Sequence, residues 1–183
     1  MELSGHSVLV TGGATGIGSA IATRFLEAGS QVLVCGRRAD KLHELQRRHP
    51  QLRTRVCDVE DPAQRVALRD WAIKEFPTLD VLVNNAGIQQ YLQLGDQPDW
   101  QLMRREIAIN LESPVHLATL FIPHLVRRTR AAIINVSSGL SFVPLARAPL
   151  YSATKAAIHS FTLSLRHQLR DTPIEVIEGY RLR

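Results

Sequence analysis

TGGATGIG, Thr11 to Gly18, follows the apolar run Ser7–Thr11 and leads into helical spacing over Gly18–Ala28. A glycine-rich loop that leaves a first strand and opens a first helix is the arrangement a dinucleotide needs. Gly12 allows the tight turn, Gly16 lets the backbone approach a pyrophosphate, and Gly18 lets helix and strand pack closely. Thr15 and Ile17 share that loop and count with the glycines as cofactor candidates. The phosphates would rest at the positive N-terminal end of the helix. A glycine-rich turn without a ligand looks the same in isolation, so the rest of the chain must decide.

Outward from the loop, the pattern alternates. Runs with strand character are Ser7–Thr11, Gln31–Cys35, Arg53–Cys57, Leu79–Val83, Ala131–Val136 and Ile174–Ile177. Between them lie longer segments with helical spacing, among them Pro62–Glu75 and Tyr151–Leu169. Several strands are continuously apolar (VLV, VLVC, AAIINV), as expected for strands covered on both faces. Strand and helix in repeated alternation predict a parallel sheet with right-handed crossovers. Asp61-Pro62 reads as a helix start, with a capping side chain and a proline in the first turn. Pro114 interrupts an apolar segment from about Trp100 to Leu125, so either two helices meet there or one is kinked.

The end of the second strand bears on which dinucleotide would fit. An acid there accepts hydrogen bonds from the ribose of NAD, whereas an arginine suits the 2′-phosphate of NADP. Here the strand ends Cys35-Gly36-Arg37-Arg38, with no acid until Asp40. Arg37, with Arg38 as second choice, therefore points to NADP(H) over NAD. A surface arginine that merely opens the next helix is the competing reading.

Three further stretches complete the pattern: NNAG at Asn84–Gly87, NVSS at Asn135–Ser138 and YSATK at Tyr151–Lys155. With TGGATGIG they make the chain resemble the short-chain dehydrogenase/reductase family, in its compact single-domain branch. The resemblance runs from the first strand to about Glu178, and its closer likeness is to bacterial members, oxidoreductases encoded with cell-wall D-alanylation genes among them. It implies a Rossmann-type doubly wound sheet of about six strands, in the order 3-2-1-4-5-6, with helices on both faces. It further implies that Asn84, Ala86 and Gly87 line the cofactor, that Asp58 meets the adenine with Val59 beside it, and that Asn110, Ser138, Tyr151 and Lys155 form a catalytic tetrad. Tyr151 and Lys155 would touch the cofactor as well. In the family the helix carrying the asparagine is distorted so that a water links it to the lysine, which favours a kink at Pro114.

Elementary chemistry supports the same pair. Tyr151 and Lys155 are four apart, so on a helix they share one face. A free phenol, with a pKa of about 10, exchanges protons poorly at neutral pH. A nearby ammonium, a helix N-terminus and an oxidised nicotinamide all favour the phenolate. Ser138 lies after the fifth strand, where a hydroxyl can bind a substrate oxygen; Ser137 competes for that role, and family spacing selects Ser138. Taken alone, YSATK is equally a helix whose tyrosine packs and whose lysine is solvated.

Composition narrows the alternatives. At 183 residues the chain has room for one domain, residues 1–183. Charged residues interrupt every apolar run, and MELSGHSVLV lacks the basic start of a secretory signal, so a cytoplasmic location without membrane contact is expected. Cys35 and Cys57 are too few for a zinc site and read as buried, reduced thiols, and the histidines lack metal-ligand spacing, so no metal is expected. The net charge of +5 raises nucleic acid as a partner, but the arginines are scattered over separate segments without interleaved aromatics, which argues against it. The family normally continues past a proline turn into a substrate loop, another helix and a seventh strand. This chain instead closes on Gly179-Tyr180-Arg181-Leu182-Arg183. The expected protein is an oxidoreductase interconverting a carbonyl and a secondary alcohol, with a small-molecule substrate. A nucleotide-binding remnant that has lost catalysis is the alternative. A homodimer through the two long helices, about Trp100–Arg128 and Tyr151–Leu169, is the expected assembly.

Overall fold

The computed structural model describes residues 1–181; of the five closing residues, Leu182 and Arg183 lie outside the described residues. The chain runs β1 (Ser7–Thr11), α1 (Gly16–Glu27), β2 (Gln31–Gly36), α2 (Ala39–Arg48), β3 (Arg53–Val56), α3 (Pro62–Glu75) and β4 (Val81–Asn84). It continues with α4 (Trp100–Ile107), α5 (Ser113–Leu125), β5 (Ala131–Ser138), α6 (Pro149–Gln168) and β6 (Ile174–Arg181). All six strands join one sheet in the order β3-β2-β1-β4-β5-β6. Every pairing is parallel. The sheet order expected from the resemblance is the order found.

Alternate residues of the central strands feed two separate cores. Leu9, Leu33, Leu82 and Ile133 face a layer that holds Leu68 of α3, Leu117 and Phe121 of α5, and Leu165 of α6. Val8, Val10, Val32, Val34, Val81 and Val83 face Phe25 of α1 with Leu42 and Leu45 of α2. Burial on both faces is why these strands read as unbroken apolar runs. β3 differs: RTRV is half-buried to exposed, and its arginines suit a sheet edge. β6 forms the other edge and continues past the expected Ile177 to Arg181, because β5 offers it backbone partners as far as Ser138.

Two local expectations find physical causes. Asp61 caps α3 by accepting from the N–H groups of Ala63 and Gln64, with Pro62 in the first turn. The distortion expected at Pro114 is a π-turn over Ala108–Glu112, which joins α4 to α5 and carries Asn110. Ser113 N–H reaches back five residues to the Ala108 carbonyl. Proline has no N–H for the carbonyl four residues earlier, that of Asn110, and its ring crowds that oxygen, so the wider turn relieves the conflict.

Candidate active site

The glycine loop and the NNAG stretch are built as one wall. Thr11 Oγ1 accepts from the N–H groups of Asn85 (3.0 Å) and Ala86 (3.1 Å) and donates to the Val83 carbonyl (3.2 Å). Asn85 Nδ2 returns the contact, donating to the carbonyls of Thr11 (2.9 Å) and Gly12 (3.2 Å). Gly12 (φ +63°) and Gly16 (φ +59°) both occupy the left-handed region. A Cβ on Gly12 would lie 2.8 Å from Ala86 Cα, whereas one on Gly16 would meet nothing within 4 Å. Gly16 therefore faces open space at the start of α1. Thr15, at the N-cap, makes no side-chain capping hydrogen bond to the helix, and no acid stands in the first turn, which leaves the first N–H groups for an anion.

A cavity of about 640 Å³ opens beyond this wall, at the carboxyl ends of the strands. Gly12, Thr15, Gly16, Ile17, Gly18, Arg37, Arg38, Asp58, Val59, Ala86, Gly87, Tyr151 and Lys155 all line it. Asn84 does not. Its amide is buried behind the wall, donating to Asn135 Oδ1 (2.9 Å) and more weakly to the Pro114 carbonyl (3.4 Å), and Asn135 in turn donates to Thr162 Oγ1 (2.9 Å). The last residue of β4 points into the core, and Asn85, where the strand ends, takes the lining place.

At the far end of the cavity the charges form a chain. Arg37 Nη1 lies 3.8 Å from Asp58 Oδ2, and Arg105 Nη2, from α4, lies 3.9 Å from the same oxygen. Arg105 Nε is 2.9 Å from Glu60 Oε2, close but not aligned for a hydrogen bond. Arg38 Nη2 donates to Thr15 Oγ1 (2.7 Å), which brings a second guanidinium against the glycine loop. Cys35 and Cys57 lie beneath as free, buried thiols. The hydrogen bond between them and burial hold Cys35 well above the usual thiol range, and the same bond lowers Cys57.

At the near end, Tyr151 and Lys155 are both buried on α6, with Nζ 5.6 Å from the phenol ring centroid. Lys155 Nζ donates to the Val136 carbonyl (2.7 Å). Asn110 clamps the loop after β4: its Oδ1 accepts from Ile88 N–H (2.9 Å) and its Nδ2 donates to the Ile88 carbonyl (2.8 Å). Gly87 lies between them, and a Cβ there would come within 3.3 Å of Asn110 Oδ1 and 3.8 Å of Lys155 Nζ. The serines divide. Ser137 lines the cavity, its hydroxyl donating to the Lys155 carbonyl at 3.5 Å. Ser138 is buried at the strand end, and its Oγ accepts from Leu140 N–H (3.2 Å). Glu106 of α4, fully buried, accepts from Gln90 N–H at 3.3 Å while its other oxygen has no partner. Burial pushes its carboxyl above the ordinary range.

The family model for short chain dehydrogenase matches residues 6–179. The chain belongs to the short-chain dehydrogenase family. The uncharacterized oxidoreductase DltE of Bacillus subtilis is 51% identical over 179 residues, which cover 97% of this chain and 71% of that protein. The NADP-dependent 3-hydroxy acid dehydrogenase YdfG of Salmonella typhi is 35% identical over 182 residues, covering 93% of this chain and 69% of that protein. Among solved structures, a metagenomic short-chain oxidoreductase in complex with NADP superposes with a TM-score of 0.92 at 28% identity, over 98% of this chain and 83% of that one. As a short-chain dehydrogenase, the chain presents a cavity whose donors fit a dinucleotide: a bare helix start at Gly16, two guanidiniums at one end, and a tyrosine and lysine at the other. Thr11, Asn85 and Arg105 escaped the sequence reading. Thr11 left a trace as a hydroxyl placed between an apolar strand and the first glycine, and Asn85 as the second residue of the NNAG stretch.

Proposed function

We propose that this short-chain dehydrogenase is an NADP(H)-dependent oxidoreductase that interconverts a carbonyl and a secondary alcohol. The observation that carries the reading is the buried Tyr151–Lys155 pair on the wall of the cavity that begins at the glycine loop. When bound, the reduced dinucleotide supplies the hydride. Tyr151 donates its phenolic proton to the carbonyl oxygen, and in the reverse direction its phenolate takes the proton of the alcohol. The Lys155 ammonium, 5.6 Å from the ring centroid, stands beside the phenol and can also hold the nicotinamide ribose. Ser138 completes the substrate-oxygen site from the end of β5, and Asn110 fixes the Gly87–Ile88 loop against which the nicotinamide would lie. Arg37 and Arg38, where a carboxylate would serve NAD, supply the 2′-phosphate site of NADP.

The whole chain acts as one NADP-binding unit in the cytoplasm, assembled as a homodimer through α4–α5 and α6. Exposed Ala153, Ala156 and Ser160 on α6 let a partner helix approach closely. The deciding experiment is Tyr151→Phe, with turnover of a carbonyl panel and NADPH binding measured in parallel. Nearly all turnover should vanish while NADPH affinity stays close to native, because the phenol moves the proton but the ring does not grip the phosphates. A Phe variant that keeps most of its rate would remove Tyr151 from the chemistry.

A further inference from the structure

We infer that Arg105 is the positioning residue that lets this cavity accept a 2′-phosphate, by serving as the standing counter-ion of Asp58. The inference rests on the NADP reading above and names a residue on which that preference depends.

Asp58 poses a problem for that reading. Its carboxylate lines the same cavity as Arg37 and Arg38, and its Oδ2 lies 3.8 Å from Arg37 Nη1. A phosphate arriving at Arg37 meets a guanidinium already engaged by an anion, and it must also settle beside that anion. Like charges at such range disfavour binding unless another cation compensates.

Arg105 provides the compensation. It reaches the same Oδ2 at 3.9 Å from the opposite element, α4, and is not itself part of the cavity lining. Its Nε also lies 2.9 Å from Glu60 Oε2, which gives the guanidinium a second carboxylate besides Asp58. When Arg37 turns towards a phosphate, Asp58 keeps a partner. Without Arg105, Arg37 is the one guanidinium left on Asp58 among the described ion pairs, and phosphate and carboxylate compete for it. NADH carries no 2′-phosphate and is indifferent to this competition.

The groups are partly exposed, with side-chain exposures of 39% for Arg105, 28% for Asp58 and 42% for Arg37, so solvent screens the effect. Arg105→Gln should therefore weaken NADPH about two- to fivefold, in keeping with exposed ion pairs, and leave NADH affinity unchanged. The loss should shrink as salt is raised. In an Asp58→Asn background the same Arg105→Gln change should have no effect on the NADPH/NADH ratio, because there is no carboxylate left to neutralise. A structural role for Arg105 would not depend on the charge of Asp58.

Fluorescence titration of the full chain with NADPH and NADH, for the two single variants and the double variant, provides the test. Equal weakening of both cofactors, or an undiminished NADPH-specific loss in the Asp58→Asn background, overturns the assignment. An Arg37→Gln control separates the two layers. If it leaves the NADPH/NADH ratio unchanged, the cofactor reading itself fails; if it lowers the ratio while Arg105→Gln does not, only the role of Arg105 fails.

Discussion

Alanine placed at Gly12 and at Gly16 should give opposite phenotypes from the same mutation. Both residues hold φ near +60°, so each alanine carries a backbone cost of about 1 kcal/mol. The surroundings differ. At Gly12 the new Cβ would stand 2.8 Å from Ala86 Cα and 3.2 Å from Ala86 N. Ala86 cannot move aside freely, since its N–H is held by Thr11 Oγ1 at 3.1 Å. Forcing that contact adds a further cost of about 1–3 kcal/mol, typical of overpacking. Gly12→Ala is then destabilised by about 3 kcal/mol and Gly16→Ala by about 1 kcal/mol. With a urea dependence of about 2 kcal/mol per molar, the midpoints should fall by about 1.5 M and about 0.5 M respectively. NADPH titration should show the converse severity: Gly16→Ala, nearly as stable as the parent, loses affinity because its Cβ occupies the space meant for a phosphate. Equal midpoint shifts, or a Gly16→Ala protein that binds NADPH as the parent does, would refute this account of the loop.

NADPH should bind at least about fivefold more tightly than NADH, and Arg37→Asp should narrow or reverse that preference; equal affinities, unchanged in the variant, would end the NADP assignment. Glu106 gives a pH signature. Its folded pKa is raised above the ordinary 4.5, so its contribution is intact below that pH and is lost as pH climbs through the raised value. Glu106→Gln should therefore melt higher than the parent at pH 7.5, and the gap should close near pH 4. A gap independent of pH would show that burial does not raise this carboxyl. Light scattering should report a dimer, and substituting Ala156 by Arg on the exposed face of α6 should yield monomers; a native monomer or tetramer would show that this face is not the interface.

The parallel sheet and the glycine loop were legible because they follow from strong local signals, whereas the strand order came only with the family resemblance. Unbroken apolar runs require two-sided burial, and a glycine triplet between strand and helix leaves few alternatives. Residue-level placement was less legible for reasons of parity. Asn84 and Asn85 are adjacent amides, and only the strand's pleat decides which enters the core and which lines the cavity. Ser137 and Ser138 repeat the ambiguity at the end of β5. The fourth strand was expected at Leu79–Val83 and forms at Val81–Asn84. Leu79 and Asp80 are buried without being strand: Leu79 N–H closes a turn onto Phe76, and the Asp80 carboxylate binds Ser7 N–H and His6. The Arg105 chain was invisible for another reason, since nothing in the spacing of Arg37, Asp58 and Arg105 announces that they converge.

The hydroxyl of Thr11 also sets an order of events. Its bonds to Asn85 and Ala86 join positions 74 and 75 residues apart, so they wait until β1 has found β4. Long-range closure of this kind comes late, because the intervening chain must give up its freedom first. A growing chain that has produced only the first three strands holds a complete TGGATGIG stretch and no wall to set it against. Nucleotide affinity should therefore emerge abruptly during synthesis, at the length that releases NNAG, rather than accumulate strand by strand. The dinucleotide then reports on the joining of the two halves of the sheet.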